Sequence, residues 1–336
     1  MLALWGVKME IIKVEGLKKY FPVQKSFLEV LFSKELQFIK AVDGVSFTVK
    51  KGEMLSLVGE SGCGKTTVGR MLVGLEEPTE GRIYFKERDI TSLRGEKRRE
   101  IQRHIQIIFQ DPYASLNPRM KIGEHITDPL LIHGIATNEE AKRMAIEMLE
   151  RVGLVPGEQF YNRLPYQLSG GQRQRVAIAR AMVLKPEFVV ADEAVSMIDV
   201  SLRAAILNLL MSFKEEYNLS MLFITHDLSV AKLVGDRIAV MYLGKIVELG
   251  EVNEVIHKPK HPYTAALLSA VPSFEKRDLR VGIFGDVSNP IDLPPGCRYN
   301  PRCPFAKDEC RKAEPELIGT DRHSFACHYP LDIVVE

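Results

Sequence analysis

The stretch MLSLVGESGCGKTT, residues 54–67, decides the fold. It begins with a short apolar run, Met54–Val58, of the kind that forms a buried parallel strand. The sequence from residue 59 to residue 66 then fits the pattern G-x-x-x-x-G-K-[ST]. Apolar residues follow at helical spacing, at Val68, Met71, Leu72 and Leu75. A strand, a glycine-rich loop and a helix in this order predict a loop that binds phosphate.

The residues of this loop have distinct predicted tasks. Glycines let backbone N–H groups curl around phosphates, and the helix that follows directs its positive end toward them. Lys65 supplies a positive charge for the β- and γ-phosphates, and the Thr66 hydroxyl is suited to Mg²⁺. Cys63 occupies a free position of the pattern and is interpreted as a small filler. The residues predicted to surround the phosphates are Gly59, Ser61, Gly62, Cys63, Gly64, Lys65, Thr66 and Thr67.

Composition limits what else the chain can be. Its 336 residues are 46% hydrophobic and 26% charged, a balance typical of globular proteins, and the length suits one large domain with an appendage or two domains. The formal net charge of +1 does not suggest a protein that binds polyanions over its whole surface. No apolar run approaches the ~20 residues of a spanning helix, and the N-terminus lacks the order of a signal peptide. We therefore expect a cytoplasmic chain that contacts a membrane through a partner.

Strand-like and helix-like segments alternate along the chain. The predicted strands cover 8–20, 41–49, 54–58, 104–110, 188–191 and 221–224, with a hairpin-like stretch up to Leu249. Helices are predicted after residue 65, from about Asn138, after residue 172 and from about Val200. The helix at Asn138 has one apolar face and a capping box formed by Thr137 and Glu140. This alternation predicts an α/β fold with a mainly parallel sheet covered on both faces.

A second chemical signal is the apolar run Phe188–Ala191, which ends in Asp192 and Glu193. The first carboxylate can hold Mg²⁺ through water, and the second can orient and polarise an attacking water. An apolar run that ends in Asp-Glu is common, so it gains meaning only from its surroundings, which include LSGGQ at residues 168–172. The order of phosphate loop, Gln110, LSGGQ, Asp192-Glu193, Asp199 and His226 resembles the ATP-binding-cassette (ABC) family over residues 10–250.

The resemblance implies a P-loop ABC ATPase cassette with a RecA-like parallel sheet core, an antiparallel β part and a helical subdomain. It places the nucleotide-binding domain at 8–251, with the helical subdomain at about 111–179. The LSGGQ residues lie at a predicted helix start and so form a second anion-binding end. The resemblance implies that Ser169, Gly170, Gly171 and Gln172 bind the ATP held by a second subunit, in a head-to-tail dimer with two shared sites.

Other family positions carry over one at a time. Tyr20 resembles the aromatic residue that stacks on adenine, with Phe21 as a rival. Gln110 resembles the glutamine that ligates Mg²⁺ and moves with the membrane partner. Asp199 resembles the aspartate that crosses the dimer interface, and it is also a plausible helix N-cap. His226 resembles the histidine that contacts the γ-phosphate. The implied catalytic residues are Lys65, Glu193 and His226.

The stretch after Glu193 departs from the family pattern. Family members usually have proline after the Asp-Glu pair and Ala-Leu before the dimer-crossing aspartate, whereas this chain has Ala-Val-Ser-Met-Ile at residues 194–198. Without the proline, the backbone at Ala194 is freer to rotate. Because the charged residues are kept, we expect an active ATPase with altered dimer contacts.

Four further segments resemble the oligopeptide/dipeptide importer branch of the family. They are DPYASLNP (residues 111–118), PYQ (165–167), HPYT (261–264) and CRYNPRCPFA (297–306). The resemblance implies two membrane permease subunits, an extracytoplasmic solute-binding protein and a peripheral position at the cytoplasmic face of the membrane. Relatives of this branch also move oligosaccharides or nickel, so the substrate stays open. The partner cassette is either a second copy or a homologous chain.

Four cysteines cluster near the C-terminus, where prolines and glycines become dense after Val252. Cys297, Cys303, Cys310 and Cys327 fall within a window of 31 residues, which in a reducing cytosol favours metal over disulfides. No close C-x₂₋₄-C pair is present, so the spacing favours a [4Fe–4S] cluster over Zn²⁺, as does the resemblance. His323 and His328 flank the last cysteine as substitute ligands. We therefore predict that 252–336 is a metal-binding accessory domain, with Zn²⁺ and unmetallated thiols or disulfides as alternatives.

Two other functions compete with transport. The first is a member of the same family that acts on DNA or ribosomes. The chain has neither the coiled-coil insertions of the former nor the second cassette of the latter, and we expect no nucleic acid as a partner. The second is an iron–sulfur redox sensor whose ATPase is regulatory, which predicts activity that changes with cluster oxidation.

Overall fold

The computed structural model describes residues 9–23, 37–196, 198–270 and 290–335. Its strands are β1 (Glu10–Pro22), β2 (Phe38–Lys50), β3 (Met54–Val58), β4 (Glu80–Phe85), β5 (Arg88–Asp89), β6 (Ile105–Ile108), β7 (Phe188–Asp192), β8 (Ser220–Thr225), β9 (Arg237–Tyr242), β10 (Lys245–Glu251), β11 (Ile318–Thr320) and β12 (His323–Phe325). Its α-helices are α1 (Lys65–Val73), α2 (Gly95–Gln102), α3 (Ile122–Ile132), α4 (Asn138–Arg151), α5 (Gly157–Tyr161), α6 (Gly170–Met182), α7 (Val200–Tyr217), α8 (Leu228–Val234), α9 (Val252–His257), α10 (Pro262–Ser269) and α11 (Asp308–Lys312). A 3₁₀ turn, Pro165–Gln167, precedes α6.

The chain divides into two compact units. The first unit takes its described residues from 1–11, 49–54 and 86–224, and the second unit takes them from 12–48, 55–85 and 225–336. The phosphate loop and the cysteine-rich tail therefore lie in the second unit, while Gln110, LSGGQ and Asp192-Glu193 lie in the first.

The second unit is built on β-structure. The strand order β2-β1-β4 contains the antiparallel pair β1–β4, and a second order, β11-β12-β10-β9-β3, joins β3 to β9 in parallel and the other neighbours antiparallel. Residues of β3, β9 and β10 pack in one hydrophobic core with helices α8 to α10. Three tyrosines contribute large buried side chains to this core, namely Tyr242, Tyr263 and Tyr299. The tail thus shares a core with the strand that leads into the phosphate loop.

The first unit combines a parallel sheet with most of the helices. Strands β6, β7 and β8 lie side by side in parallel, with Ile108 opposite Ala191 and Ala191 opposite Phe223. Strand β7 is buried along its whole length, as an apolar run in a covered parallel sheet should be. Helix α4 begins at the predicted capping box, where the Thr137 side chain accepts from the backbone N–H of Glu140. The parallel sheet and the helical segment are therefore as predicted.

Several details differ from the prediction. Helix α1 ends at Val73, because Gly74 takes a left-handed conformation that closes the helix, so Leu75 lies outside it and is exposed. The structure also has α2 before β6 and α3 after Gln110, where no helix was predicted. The limits of the nucleotide-binding domain, the helical subdomain and the accessory domain stay predictions. Within the described ranges, no helix has both the length and the apolar character needed to cross a membrane.

Candidate functional site

The phosphate loop follows β3 and depends on two glycines. Gly64 has φ of +105°, and a Cβ there would lie 2.1 Å from the carbonyl oxygen of Ala41. A Cβ at Gly59 would lie 2.1 Å from the carbonyl oxygen of Met241. Any larger residue would therefore push the loop away from β2 and β9, the strands that bear Ala41 and Met241. Gly64 is also the N-cap of α1 and no side chain caps this helix, as expected for a helix end that receives a ligand.

Lys65 lies inside the loop. Its side chain is buried, and Nζ donates to the carbonyl oxygens of Gly59 at 2.8 Å and Glu60 at 2.9 Å. Two backbone carbonyl oxygens of the loop thus hold the ammonium inside it. Cys63 is buried beside it, and burial raises the pKa of its thiol, which fits the predicted role of a small neutral filler. Ser61, Gly62, Thr66 and Thr67 complete the loop and the first turn of α1.

Tyr20 lies on β1 and is half-buried. Its hydroxyl donates to the Asp43 carboxylate, and the Lys40 ammonium lies 5.8 Å from the centre of its ring. Burial first, and then the bond to Asp43, raise the pKa of Tyr20, so its ring stays neutral. Phe21 is the alternative residue predicted to stack on adenine, and the Lys19 ammonium lies 5.0 Å from the centre of its ring. The aromatic position predicted to stack on adenine is thus fixed by a hydrogen bond at its polar end.

His226 follows β8 directly and is exposed. The next residue, Asp227, caps α8 through its carboxylate, which accepts from the backbone N–H groups of Ser229 and Val230. The backbone N–H of Asp227 donates to the Thr225 hydroxyl at 3.0 Å. This local network fixes the position at which the His226 side chain leaves the chain.

In the first unit the structure brings Gln110 and Glu193 together. The Gln110 amide Nε2 donates to Glu193 Oε2 at 2.7 Å, so its own carbonyl oxygen is not used in this bond. Glu193 has φ of +45°, a left-handed conformation that costs free energy for a residue with a side chain. Its backbone N–H donates to Ile224 at 2.9 Å, and its carbonyl accepts from the Ser196 hydroxyl at 2.9 Å. Asp192, which directly precedes Glu193 and is the last residue of β7, is buried.

LSGGQ forms the start of α6. Ser169 is the N-cap, and its hydroxyl accepts from the backbone N–H of Gln172 at 3.3 Å. The Gln172 side chain in turn accepts from the backbone N–H of Ser169 at 3.0 Å. This is a complete capping box, with Gly170 and Gly171 in the first turn between its two members. The helix start predicted at LSGGQ is thus where the structure places it, and the anion-binding role stays a prediction.

The stretch that lacks the family proline forms a turn. Ala194 is buried, and the backbone N–H of Ser196 donates to the carbonyl of Glu193 at 3.0 Å. This hydrogen bond closes the turn that begins at Glu193. Asp199 is exposed at the N-cap position of α7, but its side chain makes no capping hydrogen bond. Met197 lies outside the described residues.

The prediction of an iron–sulfur cluster at Cys297, Cys303, Cys310 and Cys327 is wrong. In the part of the chain that the structure describes, no three His, Cys, Asp or Glu side chains are grouped so that they could hold a metal ion. The same finding removes support for Zn²⁺ and for a metal-binding extension. The four cysteines do border one cavity, but its volume is about 10 Å³, the space of one water molecule.

All four cysteines are free, and burial raises the pKa of Cys297 to about 11 and of Cys327 to about 12. Neither histidine serves as a substitute ligand. His323 bonds to the Glu248 carboxylate at 2.7 Å, and His328 bonds to the carbonyl of Ala313 at 2.9 Å. The tail is held by a hydrophobic core and hydrogen bonds, and the redox-sensor alternative, which required the cluster, falls with it.

Comparison with known proteins places this geometry in a family. The family model described as ABC transporter matches residues 42–196, and the model described as oligopeptide/dipeptide transporter, C-terminal region, matches residues 247–310. The chain is 47% identical over 324 residues to the oligopeptide transport ATP-binding protein AppF of Bacillus subtilis (strain 168), covering 95% of this chain and 97% of the relative. The chain belongs to the oligopeptide/dipeptide ABC transporter ATP-binding proteins. It is therefore an ATP-hydrolysing subunit.

Two further comparisons agree with this family assignment. The dipeptide transport ATP-binding protein DppF of Escherichia coli (strain K12) is 42% identical over 323 residues, covering 96% of this chain and 95% of the relative. Among solved structures, a dimeric post-hydrolysis state of the ATP-binding cassette MJ0796 bound to ADP and Pi has a TM-score of 0.63 at 31% identity, covering 72% of this chain and 98% of that one. The predicted family and cassette fold are thus confirmed.

Five residues of the hydrogen-bond network around the phosphate loop and Tyr20 were not among the predicted site residues. They are Asp43, Glu60, Tyr263, Arg298 and Arg302. Each forms its contact through a pairing that is distant along the chain, for example 242 residues between Glu60 and Arg302. Sequence spacing carries no signal for such pairs, and the neighbouring cysteines drew the interpretation of the tail toward metal.

Proposed function

We propose that the chain energises the import of oligopeptides or dipeptides, as its relatives' names indicate for them. The observation that carries the mechanism is the 2.7 Å hydrogen bond from Gln110 to Glu193. A glutamine that holds a carboxylate in one orientation prepares this carboxylate to position a water molecule. Positioning and charge stabilisation, rather than covalent chemistry, dominate phosphoryl transfer.

The nucleotide is held by the second unit. Tyr20 stacks on adenine, with its ring fixed by the bond to Asp43. The loop residues Gly59, Ser61, Gly62, Cys63, Gly64, Lys65, Thr66 and Thr67 surround the phosphates. Lys65 exchanges its bonds with the loop carbonyls for bonds with phosphate oxygens. The N-terminus of α1 adds its positive end.

The Mg²⁺ ligands predicted from the sequence are oxygen donors, the kind that Mg²⁺ prefers. The Thr66 hydroxyl and the Gln110 carbonyl oxygen would hold it directly, and the Asp192 carboxylate through water. When bound, Mg²⁺ neutralises charge on the triphosphate oxygens. The Gln110 amide group suits this arrangement, because its nitrogen is turned to Glu193 and its oxygen is left for a cation.

The catalytic steps fall to two side chains. Glu193 orients a water molecule in line with the γ-phosphorus and, as a general base, accepts a proton from it as the water attacks. His226, exposed at the strand end, donates a hydrogen bond to the γ-phosphate and steadies the charge on the departing phosphate. Lys65 stabilises the same charge from inside the loop.

Two cassettes complete each site. Ser169, Gly170, Gly171 and Gln172 contact the ATP held by the opposite subunit of a head-to-tail dimer, and Asp199 lies at the interface between the two. Gly170 and Gly171 in the first turn support this role, because such small residues leave room for a phosphate at the helix N-terminus. The dimeric state named for the MJ0796 cassette supports the same arrangement. The partner is a second copy or a homologous chain.

The remaining partners are a pair of membrane permeases and an extracytoplasmic solute-binding protein. We place the permease contact on the helical subdomain, about 111–179, within a nucleotide-binding domain of 8–251. Exposed aromatic side chains at Tyr113 and Tyr166 support this surface. The chain would then lie on the cytoplasmic face of the membrane, with 252–336 as an accessory domain.

The test is transport by a reconstituted complex. The chain is purified with the permeases encoded beside it and placed in vesicles with the matching solute-binding protein loaded with a peptide library. We expect ATP hydrolysis to rise several-fold with loaded binding protein, and peptide to accumulate. Stimulation by nickel or oligosaccharide instead of peptide would keep the ATPase and overturn the substrate.

A further inference from the structure

The C-terminal tail contacts the phosphate loop itself. The guanidinium of Arg302 donates to both carboxylate oxygens of Glu60, at 2.7 Å from NH1 and 3.0 Å from NH2. Arg302 is 5% exposed, so this two-pronged ion pair is largely shielded from water. Arg302 also donates to the Tyr242 hydroxyl at 3.3 Å, which fixes the plane of the guanidinium.

Glu60 is held by the side chains of three residues. Its carboxylate is bound by Arg302, and its backbone N–H donates to the Tyr263 hydroxyl at 2.9 Å. Its carbonyl oxygen accepts from Lys65 at 2.9 Å. Two of these three partners belong to the region after residue 252, and the third is the lysine predicted to bind phosphate. The conformation of the loop at its second residue is therefore set largely by the tail.

A carboxylate in this loop creates an electrostatic problem. ATP brings several negative charges to the loop, and an ionised Glu60 without a partner would repel them. Arg302 neutralises Glu60 through a geometry that only a planar, doubly donating cation can provide. The hydrogen bond to Glu60 raises the pKa of Arg302, so the guanidinium stays charged.

The same tail segment reaches a second point near the nucleotide. Arg298, four residues before Arg302, donates to the Asp43 carboxylate that accepts the Tyr20 hydroxyl, and it also donates to the carbonyl of Leu243. Arg298 is buried as well. Burial opposes ionisation of Asp43, but the bonds from Tyr20 and Arg298 outweigh it and lower the pKa of Asp43. One turn of the tail thus contacts both the phosphate loop, at Glu60, and the Asp43 carboxylate that accepts the Tyr20 hydroxyl.

We propose that Arg302 is a positioning residue for ATP, which neutralises and orients Glu60 so that the phosphate loop accepts a triphosphate. The proposal rests on the proposed function, because it assumes that ATP binds this loop. It assigns the tail a role in nucleotide affinity that needs no metal. Repulsion by an unpaired Glu60 grows with the number of phosphates, so loss of Arg302 should weaken the binding of ATP more than that of ADP.

The test is a cycle of variants of the full chain. We compare wild type with Arg302→Met, Glu60→Gln and the double variant, and measure the Kd of ATP, ADP and adenosine by calorimetry without Mg²⁺, so that no turnover competes. Arg302→Met is expected to weaken ATP binding about tenfold, ADP binding less and adenosine binding within about twofold. The double variant is expected to return to within about threefold of wild type, because the unpaired carboxylate is gone.

The control substitution removes another arginine of the tail. Arg322 forms an ion pair with Glu251 at 3.1 Å and is largely exposed, so Arg322→Met is expected to leave all affinities unchanged. Equal ATP affinity in wild type and Arg302→Met would overturn the proposal. So would a double variant as weak as Arg302→Met, or an equal loss for adenosine, since either would indicate disturbed packing. If wild type itself does not bind ATP, the proposed function fails instead, and Lys65→Ala shows what this loss looks like.

Discussion

Replacement of Glu193 by glutamine separates the charge of this residue from its shape. Glutamine keeps the side-chain length and still offers an oxygen to the Gln110 amide, which now bonds Glu193 at 2.7 Å. A charged hydrogen bond becomes a neutral one, so the free energy of unfolding should fall by about 1 kcal/mol. A lost general base lowers turnover by about 10²–10⁴-fold, or about 3–5 kcal/mol in the barrier.

The assay measures both quantities in the same preparation. Phosphate release gives turnover, calorimetry gives the Kd of ATP, and gel filtration with ATP reports the dimer. We expect Glu193→Gln to lose turnover, to bind ATP as wild type does and to accumulate as a dimer that cannot open. Glu187→Gln serves as the control, because this carboxylate pairs with Lys86 and His104 and has no assigned catalytic task. Turnover of Glu193→Gln within tenfold of wild type would refute the assignment.

Three further predictions follow from the geometry. Gly64→Ala should lower the free energy of unfolding by about 3–5 kcal/mol, because left-handed strain and a carbonyl clash add up, whereas Gly16→Ala, with φ of +56° and open space, should cost about 1–2 kcal/mol; urea unfolding that gives equal losses contradicts this. Ser169→Ala and Thr137→Ala each break a capping box and should each cost about 1 kcal/mol, but ATPase assays should show reduced turnover only for Ser169→Ala. Burial lowers the pKa of His261 to about 3. Below about pH 6.5 the unfolded chain therefore binds a proton that the folded chain does not bind. The free energy of unfolding then falls as the pH falls from 6.5 toward 3. His261→Asn keeps a capping acceptor without this proton, so thermal unfolding should show it losing about 2 kcal/mol less than wild type between pH 7 and pH 5; equal losses would contradict the cause.

Local patterns were sufficient to predict the phosphate loop, the capping box of α4 and the helix start at LSGGQ. In each case the residues that decide the structure lie within a few positions of one another. Helix α2 was missed because its sequence, GEKRREIQ, has good helix formers but one buried apolar residue, Ile101, and so no periodicity. Helix α3 was missed because Pro129 lies within it.

Long-range pairing could not be predicted. Nothing in the sequence joins Asp43 to Arg298, which are 255 positions apart, yet this contact fixes the polar end of Tyr20. The cysteines show the opposite error. Their closeness along the chain correctly indicated closeness in space, since all four border one cavity. Closeness alone does not make a metal site, because ligands must also converge at metal–ligand distances around a common centre.

The bonds that Lys65 makes within its own loop bear on how readily the site can be reused. Nζ is already satisfied by two carbonyl oxygens, at 2.8 Å and 2.9 Å, so a phosphate must displace them and gains only the difference. When phosphate leaves, the same carbonyl oxygens can again accept hydrogen bonds from the ammonium, so the buried positive charge keeps its partners. If phosphate binds here as proposed, this second set of partners for Lys65 would lower the free-energy cost of product release in every cycle.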